Sequence, residues 1–272
     1  MKCRLMGAVL SVLAMVAVAP AWSDSAQRGE WAMVWSDEFS TPNGSAPDPA
    51  KWSFDIGSHW NNELEYYTDR PRNARIENGN LVITALKETY TGKDGVTRDY
   101  TSARLRTKGK FEQTYGRFEA RIKIPSGQGL WPAFWLLGND ISRVGSPACG
   151  EIDVMENVGK DPALVRGTIH GPGYSGAHGI GSPFRLADGR FADDYHLFAV
   201  EWGPTALRFY VDDILYATRT PAEIPAGTKW VFDHPFYILL NLAVGGAWPG
   251  PPDNTTVFPK SMLVDYVRVY KK

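Results

Sequence analysis

The chain has 272 residues, 43% of them hydrophobic, enough for one large β domain with a sizeable core, and no sequence period marks a solenoid or propeller. A formal net charge of -1 argues against nucleic acid as a partner. The 27 glycines and 19 prolines suit many short strands joined by tight turns.

The chain opens with Lys2 and Arg4 ahead of the apolar tract MGAVLSVLAMVAVAP and the small-residue stretch APAWS. This layout is that of a secretory signal peptide over residues 1–23, cleaved near Ala21 or Ser23. The tract is short for a transmembrane anchor. Cys3 precedes the apolar run instead of following it, which speaks against a lipoprotein. Processing would remove two positive charges, taking the net charge from -1 to about -3. It would leave Cys149 alone, so no internal disulfide can form. The expected destination is extracellular or periplasmic, with no membrane attachment afterwards.

From residue 28 to 272 the chain reads as one domain made almost entirely of strands. VWSDEF (34–39) opens it, and LVITALK (81–87) follows the turn ENGN. KDG (93–95) is a hairpin turn leading into residues 101–124. There Phe118, Ala120, Ile122 and Ile124 alternate with Glu119, Arg121 and Lys123, a period of two. LWPAFWLLG, EIDVMENV, VRGTIH and DYHLFAVEW (194–202) come next. In LRFYVDDILYATR (207–219) the pair Asp212-Asp213 makes a tight turn between two strands. FYILLNLAV (236–244) is a continuous apolar run, expected to be covered on both faces. VDYVRVY (264–270) closes the chain and is suited to pairing with the first strand. No amphipathic helix of ten or more residues stands out. The pattern predicts an all-β, two-sheet sandwich or jelly roll.

GEIDVMENVG (150–159) breaks this regularity. Glu151 and Asp153 share a strand face, but the third acid, Glu156, falls one position out of phase. Acids on a solvent-facing strand are usually solvating. Three within six residues of an apolar stretch raise one another's proton affinity and give the fold no stability. Metal binding is one outlet, although calcium prefers a loop supplying more oxygens and a glycine turn. Carboxylate catalysis is the other: retaining glycoside hydrolysis needs two carboxyl groups about 5–5.5 Å apart, one as nucleophile and one as acid/base. A β-bulge at Val154-Met155 would reset the alternation and bring Glu156 onto the face of Glu151 and Asp153.

Ten tryptophans and twelve tyrosines add a second signal. Trp131 and Trp135 share one strand face and Trp248 lies in the loop AVGGAWPG, positions suited to flat platforms for sugar rings. Trp52 and Trp202 read as core.

Several stretches resemble glycoside hydrolase family 16, and within it the bacterial laminarinase-like endo-β-1,3-glucanases: HWNNELEYYT (59–68), residues 102–138, GEIDVMENVG, GTIHGPGYSG (167–176), NLAVGGAWPG (241–250) and VDYVRVY. The resemblance implies a β-jelly roll with a cleft on its concave face, a β-glucan substrate and a retaining mechanism; the expected state is a monomer. It assigns Glu151 as nucleophile, Glu156 as acid/base and Asp153 as the assisting acid between them. It places Asn62, Arg117, Trp131, Trp135, His170 and Trp248 along the cleft. It also implies a structural calcium ion near Glu38, Gly79 and Asp265, with no cofactor required for catalysis. Two departures, Asn157 where relatives often carry a bulkier aromatic and Ala247 where a polar residue is frequent, would alter sugar contacts. Met155, the extra residue of the motif, points to the laminarinase branch over mixed-linkage glucanases, while agarases and carrageenases share the bulged form. The competing expectations are the same chemistry on another polysaccharide and a glucan-binding module without hydrolysis. Retention of all three acids separates the enzyme from the latter.

Overall fold

The computed structural model describes residues 31–58 and 61–272. The signal peptide expected over 1–23 lies outside these residues, as do His59 and Trp60. In chain order the strands are β1 (Ala32–Asp37), β2 (Ser53–Phe54), β3 (Glu65–Tyr67), β4 (Ala74–Glu77), β5 (Asn80–Thr91), β6 (Thr97–Ser102), β7 (Arg104–Arg106), β8 (Gly116–Lys123) and β9 (Leu130–Gly138). They continue as β10 (Glu151–Glu156), β11 (Leu164–His170), β12 (Ile180–Arg185), β13 (His196–Gly203), β14 (Ala206–Val211), β15 (Ile214–Arg219), β16 (Phe236–Val244) and β17 (Lys260–Lys271). The one α-helical segment among the described residues is a single turn, Ile141–Val144.

These strands form two sheets. The larger runs β15-β14-β13-β8-β17-β5-β6-β3, with β1 added on β17 and β4 on β5; the smaller runs β12-β11-β10-β9-β16-β7-β2. First and last strands pair as expected, Asp37 opposite Val267. Asp212 and Asp213 both take positive φ, the mirror-image turn that two-residue hairpins favour.

Alternation explains the core between the sheets. From β8, Phe118, Ala120 and Ile122 point inward at 0% exposure; from β9 Phe134 and Leu136 meet them, and from β16 Phe236, Ile238, Leu240, Leu242 and Val244. Each large aliphatic side chain buried in this way contributes about 1.5–3 kcal/mol. Trp52 and Trp202 belong to this core, 3% and 2% exposed. The apolar run of β16 is buried throughout because its second face is covered too. Tyr237 and Leu239 join Leu137 and Cys149 in a small separate cluster beneath the Asn139–Cys149 loop. That cluster lies on the outer face of the smaller sheet, the face that carries the acids.

Candidate active site

β10 is irregular at the position its phase error suggests. Against β9, Asp153 pairs with Trp135 and Met155 with Phe134, so Val154 is an extra residue; against β11, the register jumps from Asp153–Thr168 to Glu156–Arg166. Cross-strand partners in an antiparallel pair share a face. Asp153 therefore sides with Trp135, and Glu156 with Ala133, on the outer face. Ile152, Val154 and Met155 all enter the core at 0–1% exposure. The bulge turns two consecutive side chains inward and returns Glu156 to the acids' face. Gly150, ahead of the strand, adopts φ +70°, and a Cβ there would sit 2.9 Å from the Phe236 ring, so only glycine leads the chain into Glu151.

Asp153 is 3% exposed, while Glu151 and Glu156 keep a partial opening to the face. The Trp131 indole N–H donates to Glu156 Oε1 at 3.0 Å. His170 is the cross-strand partner of Glu151, and its Nε2 lies 3.0 Å from Asp153 Oδ2. Gly179 passes over this histidine: a Cβ at 179 would come within 2.3 Å of its Cε1.

Burial dominates the electrostatics of the three acids. It pushes Glu151 up to about 8, reinforced by Asp153 and opposed by His170 and Arg104. It raises Asp153, which a hydrogen bond from Glu151 draws back down. It raises Glu156 well above the carboxylate range, with Asp153 and Glu151 adding to the rise and His170 and the Trp131 hydrogen bond opposing it. A hydrogen bond between the Glu151 and Asp153 carboxyl groups requires a proton on one of them. A shared proton leaves the pair with one negative charge, and burial favours the protonated form of Glu156, so the site can hold an anion and an acid side by side. Glu151, Asp153 and His170 also each offer a ligand atom within 4.8 Å of the others. These donors are two acids and an imidazole on neighbouring strands, fewer than calcium takes.

Around the acids lie the aromatic platforms. Trp131 meets Trp248 edge to face at 5.5 Å, and Trp248 is 41% exposed. Trp135 donates its N–H to Asn241 Oδ1 at 2.7 Å and is covered by the Arg104 guanidinium at 4.7 Å. Asn62, at φ 59°, lines with Leu64, Gly246, Ala247 and Pro251 a recess of about 390 Å³. Thus Trp131, Trp135, His170 and Trp248 gather with the acids, and Asn62 lies beside the loop that carries Trp248.

Arg117 does not. It lies on β8, in the other sheet, on the side opposite Phe118. There its guanidinium donates to Glu119 at 2.8 Å, Asp213 at 3.1 Å and Glu201 at 3.2 Å, and it stands over the Tyr210 ring. The physical reason is sheet membership: period two fixes which neighbours share a face but not which sheet the strand joins.

The calcium positions also differ from expectation. Strand pairing brings Glu38, Gly79 and Asp265 toward one end of the larger sheet, through Asp37–Val267, Val264–Leu81 and the Glu77–Asn80 turn. But Arg268 binds both carboxylate oxygens of Glu38, at 3.0 and 2.9 Å, and Arg121 holds Asp265 at 2.7 Å. Gly79 has only its carbonyl to offer. A calcium ion would have to compete with two guanidinium groups, and the donors as arranged do not fit it.

Asn157 points inward, fully buried, and donates to the Asp161 and Leu164 carbonyls at 3.0 and 2.7 Å. It ties down the loop after β10 and makes no contact with the cleft side; Ala247 does face the recess. Cys149 is buried, and burial holds its thiol up at about 11, which disfavours the thiolate.

Sequence reasoning passed over Arg104, Asn241, Tyr67, Glu63 and Glu65. Two signals were available. Asn241 is the lone polar residue in an apolar run, and Glu63, Glu65 and Tyr67 alternate on one strand face.

Comparison with known proteins agrees with this geometry. The model of glycosyl hydrolases family 16 matches residues 61–268. A β-glucanase from Rhodothermus marinus is 46% identical over 255 residues, covering 89% of this chain and 85% of that protein. The laminarinase catalytic domain from Thermotoga maritima MSB8 superimposes with a TM-score of 0.84 at 51% identity, covering 89% of this chain and 98% of that one. The endo-β-1,3-glucanase from Pyrococcus furiosus does so at 0.84 and 49%, covering 89% and 94%. Against three longer curated relatives the chain spans 34%, 38% and 56% of their length.

Proposed function

Since the chain belongs to glycosyl hydrolases family 16, we propose that it is a secreted, retaining endo-β-1,3-glucanase that cuts internal bonds of laminarin-type β-glucans. The observation that supports this most is the bulge in β10, which sets Glu151, Asp153 and Glu156 on one face beside Trp131, Trp135 and Trp248. Glu151, ionised as its proton passes to Asp153, attacks the anomeric carbon. Glu156 gives its proton to the departing glycosidic oxygen, leaving a covalent glycosyl-enzyme. Glu156, now ionised, takes a proton from water, whose oxygen attacks the same carbon and releases Glu151. Two inversions give net retention.

Asp153 holds the shared proton during attack, and His170 at 3.0 Å steadies its charge when the proton returns. Indole faces at Trp131, Trp135 and Trp248 bind the apolar faces of the sugar rings. Two carboxyl groups suffice for the chemistry, so no cofactor is required. The enzyme works as a monomer, and export through residues 1–23 would leave an N-terminus near Ala21 or Ser23.

A polysaccharide panel with product sizing tests the reading. Laminarin should give a ladder of short oligomers and agarose or carrageenan none. Cleavage confined to agarose, carrageenan or mixed-linkage glucan would overturn the specificity, and binding without new oligosaccharides would overturn the activity.

A further inference from the structure

A second group of buried acids lies beside the cleft, outside the catalytic machinery. β7 pairs with β16 only as far as Arg104–Asn241. Beyond that, the N–H of Val244 donates to Glu65 Oε2 at 2.6 Å instead of to a strand. Leu64 N–H returns a bond to the Val244 carbonyl at 2.8 Å, and Ala247 N–H reaches the Asn61 carbonyl at 2.7 Å. Residues 61–65 therefore lie as a strap along the end of β16 and the turn that carries Trp248.

Glu65 is 0% exposed, and among the described residues its Oε1 has no donor apart from what Glu63 can offer. The two carboxyl groups lie within hydrogen-bonding reach, and a bond between them needs one proton. A run of hydrogen bonds leads to this pair from the cleft. Trp135 N–H donates to Asn241, Asn241 Nδ2 to the Tyr67 hydroxyl at 3.3 Å, and Tyr67 to Glu63 Oε2 at 3.1 Å. Glu63 Oε2 accepts from Tyr67 as Glu65 Oε2 accepts from Val244, so the proton lies between the two remaining oxygens, and the complete burial of Glu65 favours it there.

We propose that Glu63 and Glu65 form a proton-sharing positioning pair that fixes two sugar platforms at once, Trp135 through Tyr67 and Asn241, and Trp248 through the Val244 backbone. This rests on reading the face as a glucan cleft. Burial raises the Glu65 carboxyl well above its ordinary range, and Glu63 adds to the rise. The facing groups are Glu63 on the strap, Tyr67 at the end of β3 and, from β7, Arg104, itself 3.3 Å from Asp55. A carboxyl raised in the fold contributes while protonated, and that contribution is lost as pH rises through its folded value. Two buried anions would then face each other, the strap would loosen, and glucan binding would weaken.

The experiment measures kcat and KM for soluble laminarin from neutral to alkaline pH in wild type, Glu65→Gln and Tyr67→Phe, with folding checked by circular dichroism. Wild-type KM should climb about fivefold, the worth of roughly one aromatic contact. Glu65→Gln, whose amide donates to Glu63 but cannot ionise, should keep KM flat. Tyr67→Phe, which cuts the link to Trp135 and serves alone if the glutamine variant does not fold, should raise KM at every pH while the kcat profile keeps its shape. A flat wild-type KM, a glutamine variant that climbs as wild type does, or a Tyr67→Phe effect on kcat with KM unchanged would overturn the pair while leaving the functional reading intact. A wild type without turnover on any β-glucan would overturn that reading and this inference with it.

Discussion

The outer faces of the two sheets both carry clustered acids, and they treat them in opposite ways. On the larger sheet Glu119, Glu201 and Asp213 surround Arg117. Burial alone would lower the Arg117 guanidinium, but Glu119 and then Asp213 and Glu201 outweigh it and hold the charge. On the smaller sheet, among the described residues, Glu151, Asp153 and Glu156 form no ion pair with a guanidinium, Arg104 only partly opposing the rise at Glu151, and burial lifts all three carboxyl groups. Acids given a cation are spent on structure. Acids denied one keep protons that can move near neutrality, which is what acid–base chemistry needs.

Substitution on each face should separate these roles. Glu151→Ala removes the nucleophile and should abolish laminarin hydrolysis; Glu156→Gln should cost roughly 10²–10⁴-fold on substrates with poor leaving groups. Neither should lower Tm much, because both side chains keep a partial opening to the cleft face and burial disfavours their charged forms. Unchanged turnover in Glu151→Ala would remove the acids from the mechanism. Arg117→Ala inverts the pattern: it strands Glu119, 0% exposed, without its cation. It should cost about 3–5 kcal/mol of stability in a denaturant titration, with kcat of the folded fraction kept. A fall in KM-normalised activity without loss of stability would return Arg117 to the cleft. Asp213→Asn, on a side chain 69% exposed, should change stability by less than about 1 kcal/mol.

The sequence made part of this contrast legible. A phase error in GEIDVMENVG disclosed the bulge, because alternation is strict enough that one extra residue is visible. Arg117 was misplaced for the converse reason: alternation says that Arg117 and Glu119 oppose Phe118, but says nothing about which sheet β8 joins. The strap was hidden for another reason. Glu63, Glu65 and Tyr67 announce a polar face, yet their partner Asn241 is 174 residues from Tyr67, and only the fold brings them together.

The pH profile sharpens the comparison further. Activity requires one proton lost from the Glu151–Asp153 pair and one kept on Glu156. With all three raised, the rate should rise through a limb above the ordinary carboxylate range and fall on a higher one, a bell whose limbs belong to the coupled set. An acid limb at ordinary carboxylate values would mean that burial does not govern these groups.

The central claim is that the bulge builds a nucleophile and an acid on one face. Proton NMR of freshly cleaved laminari-oligosaccharide tests it most directly. The account predicts that the β-anomer of the new reducing end appears first and then mutarotates. An α-anomer appearing first would mean inversion by a single displacement, and would contradict Glu151 as nucleophile.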